Sequence, residues 1–191
     1  MSDRWLQHVN VKFPAAGGID LTEAIPVFHR WIQEQALPGL LVDVADYRHV
    51  PEGPGVVLVA HEAIYGLDEG RGWLGLLYNR RTEHDAGPAE AAAHAFRAAL
   101  TACRKLEQEP EFSGSLHFDA SACEVVVNDR ALAPNDDATR TRLLAVLAPL
   151  LDRLWGAGSY TTMPVGEARD RLGITARCTD SHSVGSVLDR L

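Results

Sequence analysis

Residues 40–65 read LLVDVADYRHVPEGPGVVLVAHEAIY, and the fold turns on how this stretch is arranged. In its first part Leu40, Val42 and Val44 alternate with Leu41, Asp43 and Ala45, the period-two pattern of a half-buried strand. Pro51-Glu52-Gly53-Pro54-Gly55 supplies the residues of a turn. Val56-Val57-Leu58-Val59-Ala60 is apolar on both faces, as a central strand covered above and below must be. That run stops at His61-Glu62. The expectation is a hairpin with ionisable groups at one end.

A turn centred on Glu52-Gly53 sets Asp43 opposite Glu62, and a one-residue change of loop register sets it opposite His61. Facing carboxylates repel unless a proton or cation lies between them, whereas Asp facing His is favourable. Asp43, His61 and Glu62 are therefore the candidate catalytic residues, as an acid–base set. His61 and Glu62 are also the candidate metal ligands, since nitrogen and oxygen donors on strands suit zinc or manganese. Asp46 and Tyr47 continue the first strand and Tyr65 follows the second, so these three are candidate binding residues. His61-Glu62 is not an HExxH zinc motif, because residue 65 is tyrosine and the stretch reads as strand.

Upstream, Val9, Val11 and Phe13 alternate with Asn10 and Lys12 in a first strand. Asp20 followed by Glu23 resembles a capping box, and Leu21, Ile25, Phe28 and Ile32 continue it as a helical stripe. Pro26 lies where a proline costs a helix least, and Leu37-Pro38-Gly39 ends it.

Downstream, Gly66–Gly70 reads as a turn and Trp73–Tyr78 as a third adjacent strand. Pro88 suits the first position of an Ala-rich helix running to about Gln108. Leu116 and Phe118, then Cys123, Val125 and Val127, mark a strand pair. His117 and Asp119 flank Phe118 on one strand face and join the candidate binding residues. Asn135, Asp136 and Asp137 are cap candidates for a third helix lined by Leu143, Leu144, Leu147, Leu151 and Leu154, kinked at Pro149 and ended by Gly156. Tyr160–Met163 and Leu172–Cys178 form a last strand pair.

The order helix, strand, strand thus occurs three times, beginning near residues 20, 88 and 137. With the N-terminal strand, this predicts an α+β fold: a mostly antiparallel sheet with helices packed on it. A parallel doubly wound sheet requires strands alternating singly with helices, which the chain lacks. Residues 1–178 read as one domain and 179–191 as a tail or an arm that docks on a partner subunit.

Composition narrows the function classes. The 191 residues are 46% hydrophobic and 23% charged, an ordinary globular balance able to bury a core. A net charge of −8, with Lys12 and Lys105 the only lysines, argues against a nucleic-acid surface. No segment has the roughly 20 apolar residues of a membrane span, and Met1–Trp5 does not start like a secretory signal. Cys103, Cys123 and Cys178 are widely spaced and odd in number, which fits a cytoplasmic chain with buried thiols. Gly53-Pro54-Gly55 precedes a strand and lacks a phosphate loop's Lys, and no serine sits in a GxSxG elbow.

No cofactor is identified, and a divalent metal enters only through His61 and Glu62. The expected function is that of a cytoplasmic protein, a homodimer, binding a small molecule or a partner protein in a cleft between sheet and helices. The alternative is a metal-dependent or general acid–base enzyme, a hydrolase or isomerase, working through Asp43, His61 and Glu62.

Overall fold

A computed structural model describes residues 5–51, 53–83 and 85–191. Glu52 of the expected turn centre, the loop residue His84, and Met1–Arg4 lie outside the described residues.

Among the described residues nine strands, all paired antiparallel, make one sheet: β1 (Val9–Ala16), β2 (Leu41–Asp46), β3 (Val56–Ala60), β4 (Ala63–Asp68), β5 (Gly75–Arg80), β6 (His117–Phe118), β7 (Ala122–Val127), β8 (Tyr160–Val165) and β9 (Gly173–Cys178). Their order across the sheet is β2-β3-β4-β5-β1-β7-β9-β8, with β6 also against β1. Four helices, α1 (Ala24–Glu34), α2 (Pro88–Gln108), α3 (Asp137–Trp155) and α4 (Val184–Leu188), pack on this sheet. The α+β class, the antiparallel sheet and the packed helices are as the sequence predicts.

Three expectations about strand arrangement are corrected. Between α1 and α2 lie four strands where the sequence reading placed three: Ala63, Tyr65 and Leu67 point into the core as β4, where that reading ended a strand and began a turn. The tight reversal at His61-Glu62 is what produces it, because it returns the chain after one strand length. The strands β6 and β7 do not pair with each other; β6 meets the far end of β1 and β7 its near end.

The third correction concerns register. Asp43 faces Val59, not Glu62 or His61. The link from β2 to β3 is wider than a two-residue turn: Tyr47 N–H bonds the Gly55 carbonyl, Val50 N–H the Tyr47 carbonyl and Gly53 N–H that of Val50. A bulge between Leu41 and Asp43 then shifts the pairing again.

One face of β1 puts Val9, Val11 and Phe13 into the core, and α2 lies across it with Phe96 edge-on to Phe13 at 5.8 Å. Over β2 and β3 lies α1, whose buried Trp31 donates its indole N–H to Glu109 at 2.6 Å. Pro88 opens α2 and Asp136 caps α3 by accepting from Thr139 N–H at 2.7 Å. The segment after Cys178 folds back on its own domain: Val184 and Val187 are buried against the same core, α4 contacts α2, and the Arg190 guanidinium donates to the Leu154 carbonyl. Among the described residues no helix is long and apolar enough to cross a membrane.

Gly55 closes the decisive loop with φ +65°, and a Cβ there meets the Leu67 carbonyl oxygen at 2.1 Å. Left-handed backbone costs a non-glycine residue about 1–3 kcal/mol, and the backbone clash adds to it. Gly39, at φ +91°, has nothing within 4 Å of its missing Cβ. Chemical denaturation of Gly55→Ala is expected to show a loss clearly larger than that of Gly39→Ala. Equal losses would contradict this close approach of the loop to β4.

Candidate functional site

The alternation of β4 and β5 sends Tyr65 and Tyr78 to the helix side of the sheet, where their rings meet at 5.3 Å. Under α2, next to the α1–β2 connection, they line a cleft of about 140 Å³ with Glu62, Arg80, His94 and Thr101. Its mouth is polar: Arg80 pairs with Glu62 at 3.1 Å and also donates to the Thr82 carbonyl at 3.0 Å. Its floor is not. Tyr78 is 1% exposed, and its buried hydroxyl has no hydrogen-bond partner at good geometry among the described residues. Burial raises the phenol's pKa; the Arg80 guanidinium beside the hydroxyl, close but not aligned for a hydrogen bond, favours the phenolate and is outweighed. Burial likewise raises that of Tyr65. Both phenols are therefore neutral donors at physiological pH.

The opposite face of the sheet carries Asn10, Lys12, Asp68, Leu77, Asn79, Glu124 and Val126. The β4–β5 connection folds over it. The Lys12 ammonium donates to the carbonyls of Gly70 and Trp73, each at 2.9 Å, and to the Asp68 carboxylate at 3.2 Å. It also lies 3.8 Å from the centre of the Trp73 ring. Glu124 takes Arg71 at 3.3 Å. At 4% and 9% exposure Lys12 and Glu124 are held out of water. Burial lowers the Lys12 pKa despite the attraction of Asp68, and burial raises that of Glu124 despite Arg71 and Lys12.

The sequence-derived candidates fall in different places. Asp43 is exposed on the edge strand β2, its carboxylate accepting from Val44 N–H at 2.8 Å. Asp46 grips Arg48 at 2.7 Å, which holds its carboxyl down at about 2, and Tyr47 is an exposed loop residue beside it. His61 and Glu62 share a shallow polar hollow with Arg80, Thr82, Glu83 and Asp85, which Asp43 does not line. Glu62 and Tyr65 meet in the cleft under α2. His117 is exposed on β6, and Asp119 accepts from Ser121 N–H at 2.9 Å and faces Arg177 at 3.5 Å.

The structure thus brings Glu62 to His61 and to Tyr65, and separates Asp43 from all three. Among the described residues no three histidine, cysteine, aspartate or glutamate side chains converge as a metal site requires. Tyr78, Lys12 and Glu124 were not singled out from sequence. The available signal was a charge inside an apolar strand run, as in Val11-Lys12-Phe13 and Cys123-Glu124-Val125, since such a charge is buried only with partners. No family model, no curated protein and no solved structure matches this chain.

The raised pKa of Glu124 has a consequence for stability. The folded chain binds this proton more tightly than the unfolded chain, whose carboxyl keeps its ordinary value of 4.5. The stability tied to it is whole below 4.5 and is lost as pH rises through the raised value. Glu124→Gln removes the ionisation but keeps the shape. Relative to wild type, the variant is expected to gain stability as pH climbs from about 4 to about 8, the range above an ordinary carboxyl pKa. Urea midpoints across that range measure it, and a flat or reversed difference would show that Glu124 is not a desolvated carboxyl.

Proposed function

We propose that this protein binds a small molecule in the cleft between its sheet and α2, and that the ligand is a ring-sized compound with a hydrogen-bond acceptor. The observation that carries this reading is the Tyr78 hydroxyl, buried at the cleft beside Arg80 and without an aligned hydrogen-bond partner among the described residues. An unmet buried hydroxyl costs about 1–3 kcal/mol, and a ligand acceptor removes that cost on binding. A volume of about 140 Å³ is close to that of cavities able to hold benzene. Tyr65 and Tyr78 supply aromatic walls, and Arg80 at the mouth favours a carbonyl or carboxylate over an ammonium.

The reading extends to where and how the chain acts. Three unpaired thiols, Cys103, Cys123 and Cys178, fit a reducing cytoplasm. A homodimer is supported by β2, an edge strand flanked by exposed Leu40, Val42, Tyr47 and Val50. Unpaired backbone with apolar side chains is the surface on which strands associate. Val42→Lys is then expected to halve the mass seen in sedimentation, and an unchanged mass would remove β2 as the contact.

The ligand reading is tested with benzamide as probe and toluene as its acceptor-free counterpart, each followed by amide chemical shifts. Benzamide is expected to move Ala63, Ala98 and Thr101, and Tyr78→Phe to weaken it about 5- to 10-fold, the worth of one neutral hydrogen bond. The variant itself should be at least as stable as wild type, because it deletes an unmet group. Equal binding of benzamide and toluene, or binding untouched by Tyr78→Phe, would refute the assignment.

A further inference from the structure

We propose that the open face of the sheet holds a second ligand site, independent of the cleft under α2, for a carboxylate bearing an unbranched apolar tail. Two hollows lie on that face and share Glu124 as a common wall. The smaller, about 270 Å³, is polar and is lined by Lys12, Arg71 and Arg171 together with two carboxylates, Asp68 and Glu124. Three cations against two anions leave an excess of one positive charge, in a chain whose net charge is −8. An anion is the ligand class that this local balance recruits.

The cations are held in place for such a ligand. Lys12 is fixed at the floor by its three hydrogen bonds. Arg171 comes from the β8–β9 connection and is oriented by Asn128 at 2.5 Å, which itself donates to Asn10 at 2.7 Å and Asn79 at 3.1 Å. Arg71 comes from the opposite side, out of the β4–β5 connection, with a left-handed φ of +65°. Its 3.3 Å contact with Glu124 is longer than the roughly 2.7–2.9 Å of a tight charged pair. Two guanidiniums reaching over a buried ammonium from separate loops can bracket one carboxylate.

The larger hollow, about 440 Å³, continues beyond Glu124 and is lined mainly by apolar groups, Trp73, Leu74, Ala122 and Met163, with Thr175 and Arg177, the latter facing Asp119. Its size is in the range of small-molecule sites. The exposed Met163 offers the soft, adaptable surface that accepts an alkyl chain. A polar hollow with excess positive charge opening beside an apolar one fits an anionic head joined to an apolar tail. A compact anion leaves the second hollow unfilled, and a neutral alkane leaves the first unmatched.

The test is a titration of the full chain with octanoate, with octanol and inorganic phosphate as the two halves of the ligand. Amide shifts are expected at Ala122, Thr175 and Gly70, with octanoate binding at least tenfold more tightly than either half. Arg71→Gln with Arg171→Gln should weaken octanoate at least tenfold, the dispersed amide spectrum of the variant showing that it is folded. Tyr78→Phe should leave octanoate binding unchanged, so that failure of the cleft and failure of this site are told apart. The proposal is overturned if octanol binds as well as octanoate, if the shifts centre on the cleft under α2, or if the double arginine variant binds octanoate like wild type.

Discussion

A sheet with all its helices on one side has to accommodate, on the other, whatever its alternate residues carry. In this chain that burden falls on β1. The strand lies mid-sheet, hydrogen-bonded to β5 along one edge and to β7 and β6 along the other. Val9, Val11 and Phe13 satisfy the helix side, and the same geometry turns Asn10 and Lys12 the other way. Lys12 is nearly as buried there as its apolar neighbours. Leaving such an ammonium without partners is strongly unfavourable, so its three hydrogen bonds are a condition of this arrangement. They in turn draw the β4–β5 connection down over the open face.

That connection then shapes what surrounds it. By folding over Lys12 it sets Trp73 as a wall and brings Arg71 to Glu124. The hollows on the open face are consequences of this closure, since a bare sheet face has no walls. On the covered side the corresponding role belongs to α2. It spans β1 and β5, with the α1–β2 connection beside it, and the space left between Tyr78, His94 and Thr101 is the cleft. The cleft and the smaller open-face hollow therefore border β5 on opposite faces, separated by a single layer of hydrogen-bonded backbone.

The sequence made some of this legible and hid the rest for definable reasons. Three helices were readable because each couples a start signal to a long stripe: Asp20 before Leu21–Ile32, Pro88 before the alanine run, Asp136 before Leu143–Leu154. The class followed from their order. The strand β4 was lost because a two-residue reversal at His61-Glu62 carries no glycine or proline to announce it. Register was lost because it depends on where a loop places its hydrogen bonds and on one bulge at Val42, and neither is written in alternation. With register went the expected meeting of Asp43 with His61 and Glu62, while Glu62, in the reversal, and Tyr65, on the strand that follows it, line one cleft.

The residues that sequence reading passed over share a property. Each breaks a local rule that most of the chain obeys, and such breaks concentrate where structure serves something besides stability. The Tyr78 hydroxyl is buried without an aligned partner among the described residues, Lys12 and Glu124 are charges inside apolar strands, and Arg71 holds a left-handed backbone without being glycine. Two further breaks have local explanations. Gln35 is left-handed because it ends α1, and its side chain bonds the Ile32 carbonyl at 2.8 Å and Leu41 N–H at 3.1 Å. Arg140 leaves one buried nitrogen unmet, but its other two are held by Asp137 at 2.6 Å and Asn135 at 2.9 Å. With those two accounted for, the remaining breaks lie at the two concavities that flank β5. Stability alone favours phenylalanine at position 78 and an apolar pair at 12 and 124, and at Tyr78 the cost is one that a ligand acceptor would offset.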